Sequence, residues 1–276
     1  WAPSDLTGIS IWLRADSLAG ADGSAVSSWV DSIASQNFAQ ATGAKQPLLY
    51  TSTAARLING QPVVTFDGVD DLLVYAGIKS PTSGHVIVVA RLLAFPGANL
   101  VTDFYSSGDV ASTTRFIRFS IANTADIEQT VNHRQRNADP VDTISGGTDL
   151  AVPSVHVFEW SSTGTAAGIK LDGVDESITV NAGANNGDWF GDTANRDHTV
   201  VGSNKTSSEG QWINADIAEI IQVDDATISA AERDSLNDYL DQRYGTALYP
   251  PVRRVAHGAT PRMTQPSRAS GLTSGV

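Results

Sequence analysis

Two stretches of this 276-residue sequence repeat an acidic signature, FDGVDDLLV at 66–74 and LDGVDESITV at 171–180. The first sets three carboxylates, Asp67, Asp70 and Asp71, within five residues. Calcium takes about six to eight oxygens, several of them from carboxylates, so these three acids are the calcium candidates of the chain. The second stretch offers Asp172, Asp175 and Glu176. Turn chemistry explains part of the signature without an ion. Asp-Gly is a favoured centre for a tight hairpin, because glycine tolerates positive φ and the aspartate bonds its own backbone. Both stretches are therefore expected to be hairpin turns, used alike in the two halves of the chain. The further acids then face water or, in the first loop, a cation.

Sugar recognition needs an aromatic platform with amide and acid partners nearby. Trp189 stands in a loop with Asn186 and Asp188, and Trp212 follows a Gly/Ser-rich loop that contains Asn204. These five residues are the glycan-contact candidates. The same two tryptophans would equally plug the open end of a β-sandwich. Trp12 and Trp29 read as core, and Trp160, at the end of a strand, fits either use.

Other chemistry is thinly represented. There is no cysteine, which excludes disulfides and Cys-ligated metals. His85, His133, His156, His198 and His257 show no metal-ligand spacing and read as strand or loop residues with a satisfied ring nitrogen. No nucleophile elbow, zincin helix or Walker loop is present, and GSNKTS at 202–207 reads as a turn. The nearest pair of acids on one strand is Asp216 and Glu219. Residues three apart on a regular strand face opposite ways, so this pair is expected not to cooperate.

The elements that position these residues are mostly strands. Segments such as RFIRFSI (115–121), SVHVFEW (154–160) and DIAEIIQV (216–223) alternate apolar and polar residues with a period of two. HVIVVARL (85–92) is continuously apolar and is expected to be a central strand buried on both faces. It is too short to span a membrane. Gly/Asn/Asp/Ser clusters separate the strands. The pattern is all-β, an antiparallel sandwich or barrel. One helix is legible over 230–244. Ser229 and Glu232 form a capping box, Leu236, Tyr239, Leu240 and Tyr244 share a face, and Gly245 is placed to end it.

Net charge is −12, and it is unevenly spread. After Tyr249 there are four arginines, Arg253, Arg254, Arg262 and Arg268, and no acid. The first 249 residues therefore carry 14 bases against 30 acids, or −16. Such a body is repelled by nucleic acid and anionic membranes. The segment 249–276, rich in Pro, Gly, Ser and Arg, reads as an extended arm whose arginines dock on an acidic protein surface, a neighbouring subunit for example.

PSDLTGISIWLRADS (3–17), SSWVDS (27–32), INGQPVVTFDGVDDLLV (58–74), IAEIIQVDDATIS (217–229) and AAERDSLNDYLDQRYG (230–245) occur in that order. Together they resemble the concanavalin A-like lectin/glucanase superfamily in its laminin-G-like bacterial and phage branch. The resemblance spans 1–248 and implies a jelly-roll sandwich of two antiparallel sheets with one short C-terminal helix. Relatives of this kind hold calcium at the rim of the sandwich. Glycosidases of this fold resemble one another in an E-x-D-x-E strand motif, which is absent here. The expected protein is a non-catalytic lectin-like structural or adhesion module, acting outside the cell or on a virion surface. A phage decoration or appendage protein held by its arm is the setting expected first. A free carbohydrate-binding module and a diverged glycoside hydrolase are the alternatives. No cofactor beyond possible calcium is implied.

Overall fold

Period-two alternation decides which side of each strand faces the core. In the Arg115–Thr124 strand, Ile117, Phe119 and Ile121 are buried in the main apolar cluster, while Arg118 and Ser120 point the other way. A computed structural model describes residues 1–97, 100–124, 127–137 and 141–246. The expected arm, with Arg253, Arg254, Arg262 and Arg268, lies outside the described residues. Among the described residues the strands form two antiparallel nine-stranded sheets, the expected sandwich, and a small two-stranded one.

The first sheet runs from the edge strand Val174–Asp175 through Ala167–Leu171, Ser154–Ser162 and Gly84–Leu92 to Asn214–Val223. The first half of Asn214–Val223 pairs with Val63–Asp67 and its second half with Ile9–Arg14. The second sheet runs Thr179–Ala182, Val141–Ser145, Ile127–Asn137, Arg115–Thr124, Leu100–Gly108, His198–Val201, Leu73–Tyr75, Asn37–Ala39 and Ser28–Val30. Aromatic rings join the two sheets. Phe104 meets Phe158 at 4.8 Å between ring centroids, and Phe119 meets Trp160 at 5.6 Å. Ring pairs of this kind add about 0.5–1.5 kcal/mol each beyond the area they bury. Trp29 and Trp160 are fully buried here.

The Ala230–Tyr244 helix covers the outer face of the first sheet. The Ser229 hydroxyl accepts from Glu232 N–H, and the Glu232 carboxylate accepts from Ser229 N–H. Gly245, at φ 66°, donates its N–H to the Asp241 carbonyl and closes the helix. Leu236, Leu240 and Tyr244 pack with Trp12, Ile87 and Ile221 of the sheet. The Gly84–Leu92 strand is thereby buried on both faces, as its apolar run requires. No described helix is long and apolar enough to cross a membrane.

Two local expectations fail. The second acidic stretch is a hairpin, with Asp172 and Gly173 both at positive φ between the paired strands Ala167–Leu171 and Val174–Asp175. The first is not a hairpin. Val63–Asp67 belongs to the first sheet and Leu73–Tyr75 to the second, so this loop crosses the rim from one sheet to the other. Gly68 is needed there, because at φ 78° a Cβ would lie 2.9 Å from the Asn214 Cβ. Asp216 and Glu219 also defy the regular-strand rule. An irregularity between Ile217 and Glu219 inserts a residue, and both acids end on the outer face of the sheet.

Candidate functional site

Asn214 opens the strand Asn214–Val223 and pairs with Asp67 at the end of Val63–Asp67. This pairing brings Trp212 and the first acidic loop, far apart in sequence, to the same rim of the sandwich. Two hollows meet at Asn214. One, of about 320 Å³, is lined by Gly68, Phe95, Leu100, Gln211, Trp212 and Asn214 among others. The other, of about 500 Å³, is lined by Tyr50, Arg56, Thr65, Asp67, Asp71 and Asn214 among others. The first has an apolar wall of Phe95, Leu100 and half-buried Trp212. The second is polar, and the Arg56 guanidinium lies over the Tyr50 ring at 5.3 Å while bonding Asp216 at 3.2 Å.

The rim acids converge. One carboxylate oxygen from each of Asp67, Asp70 and Asp71 lies within 4.8 Å of the others. Asp67 also accepts from Val69 N–H at 2.8 Å, and Asp71 accepts from Asp67 N–H at 2.9 Å. Burial, and then the neighbouring acids Asp67 and Asp70, push the Asp71 carboxyl up to about 6. An all-oxygen set of three carboxylates fits a hard divalent cation, for which it would supply part of the coordination. The second acidic loop has no such freedom. Asp172 bonds His156 and Val157 N–H, Asp175 bonds Lys170, and Glu176 accepts from Gly147 and Thr148.

The other expected glycan residues are elsewhere. Trp189 is 0% exposed and packs edge-on against Phe119 at 5.2 Å and His133 at 5.6 Å. It presents no open face, so it is a plug and not a platform. Its indole nitrogen lies beside Gly84, at the Val223 end of the strand whose other end is Asn214. Nine residue steps separate those ends, about 30 Å at strand rise. Asn186 and Asp188 line a small cavity at the Trp189 end. Asn204 is buried in the short Asn204–Lys205 strand. Of the five, the rim gathers only Trp212.

Tyr50, Arg56, Phe95 and Gln211 complete the groove and were not legible in the sequence. They sit in short segments without periodicity, and nothing local marks them as neighbours. Also unmarked was the outer face of the second sheet. There Arg118 and Arg134 are direct cross-strand partners, and Arg118 lies over Phe116 at 3.8 Å. Burial pushes Asp103 up to about 7, and it approaches Arg118 only at 3.7 Å.

The acids suited to hydrolysis are engaged in structure. Glu219 is fully buried beneath the helix, where it accepts from Trp12 Nε1 at 2.5 Å and from the hydroxyls of Tyr239 and Tyr244. Asp216 is held by Thr65, Arg56 and Arg91.

No protein-family profile matches this chain, and no curated protein sequence matches it. Solved structures do. The CBM40 module of a Ruminococcus gnavus sialidase, bound to α2,3-sialyllactose, is 12% identical over 57% of this chain and 83% of its own, with a TM-score of 0.47. A Trypanosoma rangeli sialidase in complex with 2,3-difluorosialic acid is 12% identical, with a TM-score of 0.53. That match covers 85% of this chain but 33% of the sialidase. At this identity the likeness is one of architecture alone: the chain has an antiparallel β-sandwich fold.

Proposed function

We propose that this protein is a non-catalytic carbohydrate-binding module acting outside the cell, with its glycan seated in the rim groove at Asn214. One observation carries the reading. The half-buried indole of Trp212, with Phe95 and Leu100 beside it, lines one hollow, and Asp67, Asp71 and Arg56 line a second that shares Asn214 with the first. An apolar wall suits the C–H face of a sugar ring, and the polar lobe suits its hydroxyls. Each hollow, of about 320 and about 500 Å³, is of the size that small-molecule sites occupy, roughly 300–1,000 Å³. The non-catalytic part rests on Glu219, which the helix seals away from any substrate. Asp67, Asp70 and Asp71 would hold a calcium ion beside the groove, supporting the loop that carries Gly68.

A glycan array of neutral and carboxylated sugars, with and without calcium, tests this. Binding is expected, and Trp212→Ala should weaken it about tenfold or more, the loss of roughly 1.4 kcal/mol. Any calcium-dependent part should disappear in Asp71→Asn. An array that stays blank, or binding that Trp212→Ala leaves intact, removes the rim site. Binding confined to carboxylated sugars and lost in Arg134→Ala would move it to the arginines of the second sheet.

The finer expectation, decoration of a phage particle, rests on the family resemblance together with the basic arm. Deleting residues 250–276 should leave the melting temperature of the sandwich unchanged and prevent its incorporation into a particle. Incorporation of the truncated chain would refute the arm's role.

A further inference from the structure

Like charges placed directly opposite one another on neighbouring strands destabilise a sheet. The second sheet nevertheless sets Arg118 of the Arg115–Thr124 strand opposite Arg134 of the Ile127–Asn137 strand. Ile117 and Phe119 face the core, so both arginines stand on the outer face, as does Phe116 two residues from Arg118. The two guanidinium carbons share the Phe116 ring, Arg118 at 3.8 Å and Arg134 at 5.7 Å from its centroid. Attraction to one ring holds two cations that repel each other.

The pair is also withdrawn from water. Arg118 is 7% exposed, and Arg134 is half-buried. Ser106, the partner of Arg118 on its other side, donates its hydroxyl to the Ser203 carbonyl at 2.8 Å. The Gln211 carbonyl accepts from Asp103 N–H at 2.9 Å. The segment between Ser203 and Gln211 is thereby tied along the Leu100–Gly108 strand, beside the arginines. Burial lowers the Arg118 pKa to about 10. Asp103 offsets part of this, and Arg134 and Arg136 add to it. The group is still a cation at neutral pH.

Other inward-facing arginines are well held. Arg91 donates to the carbonyls of Ala55 and Leu57, Arg196 to Ser107 and the Lys79 carbonyl, and Arg233 to Glu159. Among the described residues, neither Arg118 Nε nor Arg134 Nε has a hydrogen-bond partner. Asp103 approaches Arg118 at 3.7 Å, too far for a hydrogen bond. Guanidinium groups recognise carboxylate and phosphate through paired N–H donors. Asp103 and the acidic body of the chain oppose a second negative charge, so a carboxylate fits better than a phosphate dianion.

We propose that the outer face of the second sheet binds the carboxylate of a small acidic ligand between Arg118 and Arg134. Its oxygens accept from the two guanidinium groups, and its charge relieves their repulsion. The site uses none of the rim-groove residues and does not depend on the carbohydrate reading.

Galacturonate and galactose are the probes, since they differ only in a carboxylate that replaces a hydroxymethyl group. The full chain is titrated with each at pH 7.5 and low salt, followed by nuclear magnetic resonance. Galacturonate is expected to bind about tenfold or more tightly than galactose, and to shift the Phe116 ring and the Nε–H signals of Arg118 and Arg134. Arg134→Ala should abolish this advantage while melting within a few degrees of the parent. Arg134→Lys, which keeps the charge but not the fork, should lose most of it. Should Arg134→Ala fail to fold, the signal shifts and Arg134→Lys decide. Trp212→Ala should retain the advantage. The proposal is overturned if galacturonate binds no more tightly than galactose, or if its advantage survives Arg134→Ala. Loss of the advantage in Trp212→Ala would overturn it too, by placing the acid in the rim groove. Inorganic phosphate binding as tightly as galacturonate would show an unselective anion patch instead. The rim reading fails separately, through neutral sugars that Trp212→Ala does not affect.

Discussion

Glu159→Ala is expected to destabilise the protein by about 3–5 kcal/mol and to lower its melting temperature by roughly 10 °C or more. Glu159 lies on the outer face of the first sheet, almost wholly buried under the helix. Arg233 of the helix grips its two oxygens, each at 2.7 Å, and His85 bonds it at 2.8 Å. Burial alone would raise its pKa. The bonds and charges of His85 and Arg233 outweigh that and hold the carboxyl down to about 2. Because the folded value is depressed, the stabilisation is complete above the ordinary carboxylate range. It is lost as the pH falls from about 4.5 toward 2. Removing the side chain leaves the largely buried Arg233 guanidinium without its partner, and that penalty exceeds the net worth of the pair. Urea unfolding at pH 7 measures the cost, and the difference between parent and variant should shrink on acidification toward pH 2. A cost below about 1 kcal/mol would mean that the packing of Leu236, Leu240 and Tyr244 and the bonds of Tyr239 and Tyr244 to Glu219 hold the helix without it.

The limits of the sequence reading follow from what periodicity encodes. Alternation in RFIRFSI states which side of a strand is apolar, and it located the strands well. It carries no information on which sheet a strand joins. For that reason FDGVDD and LDGVDE look alike in sequence yet serve as a rim crossing and a hairpin. The capping box at Ser229 and Glu232 was legible because all its determinants are local. The extra residue between Ile217 and Glu219 was not, because it is imposed by two different partner strands along Asn214–Val223. The candidate site divides in the same way. The carboxylates of Asp67, Asp70 and Asp71 were visible as a local cluster. Their proximity to Trp212 depends on the pairing of Asp67 with Asn214, which no local pattern reveals. Trp189 and Trp212 both sit beside polar loops, and the sequence could not say which one the core would claim.

That last distinction is measurable. Trp189→Ala is expected to destabilise by about 3–5 kcal/mol, the usual range for deleting a large buried aromatic side chain. Trp189 is fully enclosed, and its ring meets Phe119, His133 and Phe190. Its backbone N–H is bonded to Asp192 at 2.8 Å and its carbonyl accepts from Gln135. Removing the indole leaves these groups around a void between the sheets, and a shell of aromatic rings cannot collapse to fill it. Trp212, half-buried against an open hollow, leaves no such void, so Trp212→Ala should cost about 1 kcal/mol or less in stability. The two substitutions should therefore separate cleanly. Trp189→Ala should lower the melting temperature by roughly 10 °C while leaving glycan affinity, measured below that transition, within about twofold of the parent. Trp212→Ala should do the reverse. If Trp189→Ala instead abolished glycan binding in a protein of undiminished stability, the ligand would belong at the Trp189 end and not at the rim. The reason is physical: an indole that contributes affinity without contributing core energy must be reachable from solvent, and a fully enclosed one is not.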